Sequence, residues 1–189
     1  MALKDAVAKN FFGRKDVMVS ILDYLLHDGL PKVSEDQLRD DNEAYYTIVQ
    51  QPDGSFKTDN SFRDKLFEYD DGKEVISVGL ELQSRRDKGM VQRIMVYDGK
   101  RIDQMAKEDK IYPIMNIVLD FDKNRRRPPT RLSEMMPLRD SKAKDYCSDY
   151  GYVYMNIYDI AEKFYMFPCA EMQDVLYLEL ISKLSSKWT

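Results

Sequence analysis

Apolar residues recur along this chain at two periods, and the switches between them mark out the elements. Residues 3–12 and 14–28 carry the helical period, with Gly13 as the break between them. In the second helix Val17, Ile21, Tyr24 and Leu25 form the apolar stripe, while Asp16, Ser20, Asp23 and His27 share another face. Asp28-Gly29 ends it, and Ser34-Glu35-Asp36-Gln37 has the capping-box pattern of a further short helix. The β-rich run 44–49 then leads into the turn residues Pro52-Asp53-Gly54.

The period of two is clearest over residues 61–83. Asp71-Gly72 stands between two β-rich runs, which is a strong signal for a two-residue hairpin loop. With Asp70 facing Lys73, paired positions sum to 143, so Asp64 falls opposite Gly79 and Glu81 is its diagonal neighbour. Phe67, Tyr69, Ile76, Val78, Leu80 and Leu82 then make one apolar face. Asp64, Glu81 and Gln83 lie on the other, wet one, and a one-residue slip would bury the acids.

Residues 89–108 return to the helical period, with Met90, Ile94, Tyr97 and Met105 inward, Arg93 and Tyr97 adjacent at i, i+4, and Gly99 as a weak point. Tyr112–Phe121 reads as a strand buried on both faces. A loop follows over 124–129, a helical turn over 132–136 and an alternating strand over 152–158. Residues 159–167 and 169–186 are helical around Pro168, with Met172, Leu176, Leu180 and Leu184 on one stripe. This order predicts a mixed α/β fold: a core domain over residues 1–160 with a helical extension over 161–189 packed on it.

Length and composition suit this picture. With 189 residues, 43% hydrophobic and 33% charged, the chain can bury a core without disulfides or a structural metal. No run of about 18 apolar residues is present, and Asp5 and Lys9 interrupt the start where a signal peptide would be apolar, so no membrane partner is expected. Cys147 and Cys169 have no metal-ligand spacing, sit in a chain with a single histidine and read as reduced thiols of a cytoplasmic protein. Net charge is −4, so any nucleic-acid contact needs local basic patches. Arg85, Arg86 and Lys88 form one, and Lys123, Arg125, Arg126, Arg127 and Arg131 another, unless both are simply solvated.

Two carboxylates side by side on a sheet repel unless a cation or a proton holds them. An oxygen-lined pair of this kind suits magnesium, with manganese as the alternative, and such an ion activates water for attack on phosphate. The spacing of Asp64 and Glu81 is a loose signal in isolation. The plainer reading pairs Asp64 with Arg63 or Lys65 and leaves Glu81 on a solvated strand.

The run Gly79-Leu80-Glu81-Leu82-Gln83-Ser84, followed by Met90-Val91-Gln92-Arg93-Ile94-Met95-Val96-Tyr97-Asp98, resembles the core of the bacterial PD-(D/E)XK nuclease family transposases, the recombination-promoting nucleases. Arg63-Asp64 stands where that family has an Arg-Asp strand, and the likeness extends over most of residues 1–160. It implies a restriction-endonuclease-like core, DNA as substrate, phosphodiester hydrolysis in DNA recombination or mobile-element biology, and homodimers. By the same resemblance Asp64, Glu81 and the Leu82 carbonyl would bind the metal, and Gln83 would take the place of the usual catalytic lysine. Arg93 and Tyr97 would support the site. Where the family carries an aspartate in its second helix this chain has Ser20, so Asp16 or Asp23 are the candidates to complete the site. Two functions stay open: a magnesium-dependent DNA endonuclease, or a catalytically weak module of the same fold that pairs with DNA or a full-length nuclease.

Overall fold

The structure is a computed structural model and describes residues 2–41, 45–50, 56–61, 64–123, 126–136 and 142–185. Two helices, α1 (Ala2–Phe12) and α2 (Lys15–Leu26), lead through a 3-10 turn at Glu35–Gln37 into strand β1 (Leu38–Asp40). The expected capping box is there, with the Ser34 amide donating to Gln37 Oε1 at 2.9 Å. A separate antiparallel pair, β2 (Tyr45–Gln50) and β3 (Phe56–Ser61), follows. The turn expected at Pro52-Asp53-Gly54 lies outside the described residues. Then come β4 (Lys65–Asp70), β5 (Val75–Gln83), α3 (Met90–Lys107), β6 (Ile114–Asp120), β7 (Val153–Asn156), the helical turn α4 (Ile157–Ile160) and α5 (Ala170–Ser185).

One mixed sheet, in the order β1-β4-β5-β6-β7, organises the molecule. β1, β4 and β5 run antiparallel, while β5, β6 and β7 are parallel. α3 supplies the crossover that the parallel β5–β6 pair requires. Helices therefore cover both faces. On one, Val17, Met18, Ile21 and Leu22 of α2 and Met172 and Leu176 of α5 pack with Phe67, Val78, Leu80, Ile117 and Leu119 in the main core. The side chains of Leu180 and Leu184 lie outside the described set. On the other face Met90 and Ile94 of α3 pack on Val118, and all four apolar α3 positions expected from the sequence are buried.

The hairpin register differs from the sequence expectation. Asp70 pairs with Val75 and Lys65 with Leu80, so partners sum to 145. A two-residue type I′ loop needs positive φ at both central residues, and here only Gly72, at +81°, has it. Instead Asp71 Oδ1 accepts the amides of Lys73 and Glu74 at 2.8 and 2.9 Å, closing a four-residue loop over 71–74. Those two amides hold the Asp71 carboxyl below its ordinary range. Because the change in the sum is two, every side chain keeps its expected face.

The second sheet face is not wet, however. Ser77, Glu81 and Asn116 on it are buried beneath α3 and meet polar partners from that helix. Arg101 reaches Ser77 Oγ at 3.3 Å and pairs with Asp41. Asn116 Nδ2 donates to both oxygens of Asp98, at 2.9 and 3.2 Å. Polar partners of this kind permit a second helix to cover polar strand positions.

Candidate functional site

Asp64 stands one residue before the first paired residue of β4. One step beyond Lys65↔Leu80, the same register carries it to Glu81, not to Gly79. Its carboxylate turns onto the edge of β5, where Oδ2 accepts the Leu82 amide at 2.8 Å. That amide belongs to the peptide joining Glu81 to Leu82, so Asp64 is tied to the backbone beside the second acid. The Leu82 carbonyl lies along the same strand edge, because N–H and C=O of one strand residue point the same way. Of the two neighbours expected to pair with Asp64, Lys65 lies 3.8 Å from Asp40, and Arg63 falls outside the described residues. Among the described residues Lys9 of α1 reaches Asp64, with Nζ 2.6 Å from Oδ1.

Glu81, 6% exposed, projects from the α3 face of β5. Arg93 comes down from α3 with its guanidinium 4.0 Å from Glu81 Oε2 and 3.2 Å from Asp87. Tyr97, one turn along, is buried. Gln83 follows Glu81 on the same face and pairs in parallel register with Asp120 at the end of β6. Asp120 is 2% exposed; its Oδ1 accepts the Asp122 amide at 2.9 Å and its Oδ2 the Tyr154 hydroxyl at 2.5 Å. Burial, then the bond to Asp120, pushes the Tyr154 phenol well above its ordinary value.

Beyond this strand end a crevice of about 10 Å³ opens among Gln83, Arg85, Arg86, Asp87, Asp120 and Tyr154. That is room for about one water. Pro128 closes the far side, so the Arg85–Arg86 turn and the 126–130 loop border the same opening. Arg85, Arg86 and Arg126 are exposed. Arg127 bonds Thr130 Oγ1 at 2.5 Å and faces Glu134 at 3.6 Å, while Arg125 lies outside the described residues.

The two helix acids do not join this cluster. Asp23 is fully buried, and its Oδ1 accepts the amides of Lys32 and Val33 at 2.8 and 2.9 Å, tying α2 to the following loop. Asp16 pairs with Arg14 at 2.5 Å, which lowers its carboxyl pKa, and lies near Cys169 Sγ at 3.8 Å. Among the described residues no three His, Cys, Asp or Glu side chains form a metal-holding group. The donors at hand are two carboxylates and one carbonyl, a set of the kind magnesium accepts when waters complete its shell.

Sequence reasoning missed Lys9, Asp120 and Tyr154. Lys9 has no local signature, since its role depends on how α1 packs. Asp120 did carry a signal: an acid that ends a strand buried on both faces is rarely buried without a purpose. Searches found no matching family model, curated protein or solved structure for this chain. Among the described residues no helix is long and apolar enough to cross a membrane.

Proposed function

We propose that this chain is a magnesium-dependent DNA endonuclease with a restriction-endonuclease-like core, built around Asp64 and Glu81. The observation that carries this reading is the hydrogen bond from the Leu82 amide to Asp64. It holds the first acid beside the second at the point where β4 and β5 part. The Asp64 and Glu81 carboxylates and the Leu82 carbonyl would hold the metal, which when bound would supply a more acidic water and charge stabilisation at the phosphate. Gln83 donates a hydrogen bond to orient the attacking water but brings no charge. Arg93 would keep Glu81 in place, and the buried Tyr97, one turn along α3, would support it. Arg85 and Arg86, which line the crevice, and the exposed Arg126 and Arg127 would form a surface for the DNA backbone. Two free thiols suit a cytoplasmic setting, and the resemblance noted above suits a homodimer acting in recombination.

One observation favours a binding module instead. Both acids already face protein cations, Asp64 facing Lys9 and Glu81 facing Arg93, so the site is near charge balance without a metal. Incubating the protein with supercoiled plasmid in magnesium and in EDTA separates the two. Nicking that requires magnesium supports the endonuclease; binding without nicking supports the module.

A further inference from the structure

Gln83 leaves this site without the fixed positive charge that phosphate attack calls for. As water adds to a phosphodiester, negative charge builds on the non-bridging oxygens, and a cation held there lowers the barrier. Among the described residues two side-chain cations pair with these acids. Arg93 is flanked by two carboxylates, Asp87 and Glu81, and its Nη2 lies 3.4 Å from Met90 Sδ on its own helix. Its charge is already matched, and it is half-buried. Lys9 also faces a carboxylate, Asp64 at 2.6 Å, but its side chain is 51% exposed.

Lys9 is also held at the right place by the packing of α1. Phe12, three residues on, is buried and meets Phe121 edge-on at 5.4 Å. Gly13 ends the helix with its amide on the Lys9 carbonyl at 2.9 Å. A Cβ at Gly13 would come within 2.7 Å of both that carbonyl and Lys65 Cε, so the glycine lets α1 end tight against the start of β4. Lysine places an ammonium with three donors on a flexible stem, so it can leave one oxygen for another without moving its helix.

We propose that Lys9 is the lysine of this site: it rests on Asp64 and turns onto the scissile phosphate when DNA binds. This rests on the endonuclease reading above. In the reaction the water oxygen forms a bond to phosphorus as the bond from phosphorus to the bridging sugar oxygen breaks. The sugar oxygen leaves as a hydroxyl with a proton taken from solvent, and the water's proton departs to solvent. Lys9 stays protonated throughout and donates hydrogen bonds to a non-bridging oxygen.

The test uses Lys9→Met, Gln83→Lys and the double variant, with plasmid nicking in magnesium and duplex binding in calcium as separate readouts. Lys9 is half-exposed, so Lys9→Met is expected to keep the fold; a circular dichroism melt checks this, and Lys9→Gln stands in if it does not. Lys9→Met is expected to cut about 100-fold more slowly. It should also flatten the slope of log affinity against log salt by about 0.9, one phosphate contact. Adding Gln83→Lys should restore cutting at least about ten-fold. Cutting by Lys9→Met at the parental rate overturns the proposal. So does an unchanged salt slope, which marks Lys9 as a structural partner of Asp64. If the parent does not cut at all, the endonuclease reading fails while the salt slope still decides whether Lys9 touches phosphate.

Discussion

The Leu82 amide and the Asp64 carboxylate are joined by a 2.8 Å hydrogen bond across the point where β4 and β5 part. A strand amide that would have gone to the next β4 residue is taken by a side chain, and this fixes the acid without lengthening the ladder. The other oxygen of Asp64 is held by Lys9. One carboxylate therefore links α1, β4 and β5.

The central helix offers the simplest check of the fold. Gly99 sits mid-way along α3, exposed, with nothing within 4 Å of a Cβ added there. Gly99→Ala should stabilise the protein by about 0.5–1 kcal/mol, through lower freedom of the unfolded chain. For a chain of this size that raises Tm by about 1–4 °C in a thermal melt. A fall in Tm would mean that this stretch is not an exposed helix interior.

Asp23→Ala separates structure from chemistry. Asp23 is fully buried and accepts two loop amides, so its loss strands both donors. A cost of about 2–4 kcal/mol is expected in urea unfolding. Magnesium affinity measured by calorimetry on the folded variant should be unchanged, because Asp23 is fully buried with Oδ1 on the Lys32 and Val33 amides. A large loss of magnesium binding with no loss of stability would return Asp23 to the metal site.

Much of this arrangement was legible in the pattern of residues, and the misses have physical causes. Period alone placed α2, α3 and β4–β5, since each carries one apolar face, although β5 is buried on its polar face as well. The loop at Asp71-Gly72 was read one pair too tight because the Asp71 side chain joins the backbone in closing a wider turn. The face assignment survived because a shift of two keeps parity. Glu81 was expected to be wet because acids on a hairpin usually are. The α3 crossover covers it, and only the Arg101, Asn116 and Asp98 layer beneath that helix reveals why this is tolerated. Lys9 lies 55 positions before its partner Asp64, a separation that only tertiary packing can close.

Alkaline titration probes the strand end beside Glu81. Burial is the first cause that pushes the Tyr152 phenol up to about 12, and it raises Tyr154 further still. A phenol whose folded pKa lies above the unfolded value of about 10 stabilises the protein below that pH and ceases to as pH rises through the folded pKa. Stability should therefore fall from about pH 10 upward. Absorbance at the tyrosinate band should show Tyr69, Tyr152 and Tyr154, among the 13 tyrosines, titrating late, and Tyr154→Phe should remove one of them. Titration of all tyrosines together in the folded protein would contradict the burial of this strand end.

The basic rim should act through phosphates alone. Replacing Arg85, Arg86 and Arg126 with alanine is expected to flatten the salt dependence of duplex binding by up to about 3 units in log–log slope. The loss should be similar for unrelated sequences, as backbone contacts position without specifying. An unchanged slope, read by fluorescence anisotropy over a salt series, would place the footprint elsewhere on the surface.

Glu81→Gln tests the metal-dependent chemistry most directly. The substitution keeps shape and hydrogen bonding beneath α3 while removing the charge that would bind the metal, so the fold should survive with an unchanged circular dichroism spectrum. Nicking of supercoiled plasmid in magnesium should drop by about 100-fold or more, with parental nicking lost in EDTA. Equal nicking by Glu81→Gln and the parent, or parental nicking that persists in EDTA, would contradict a magnesium site at Asp64 and Glu81.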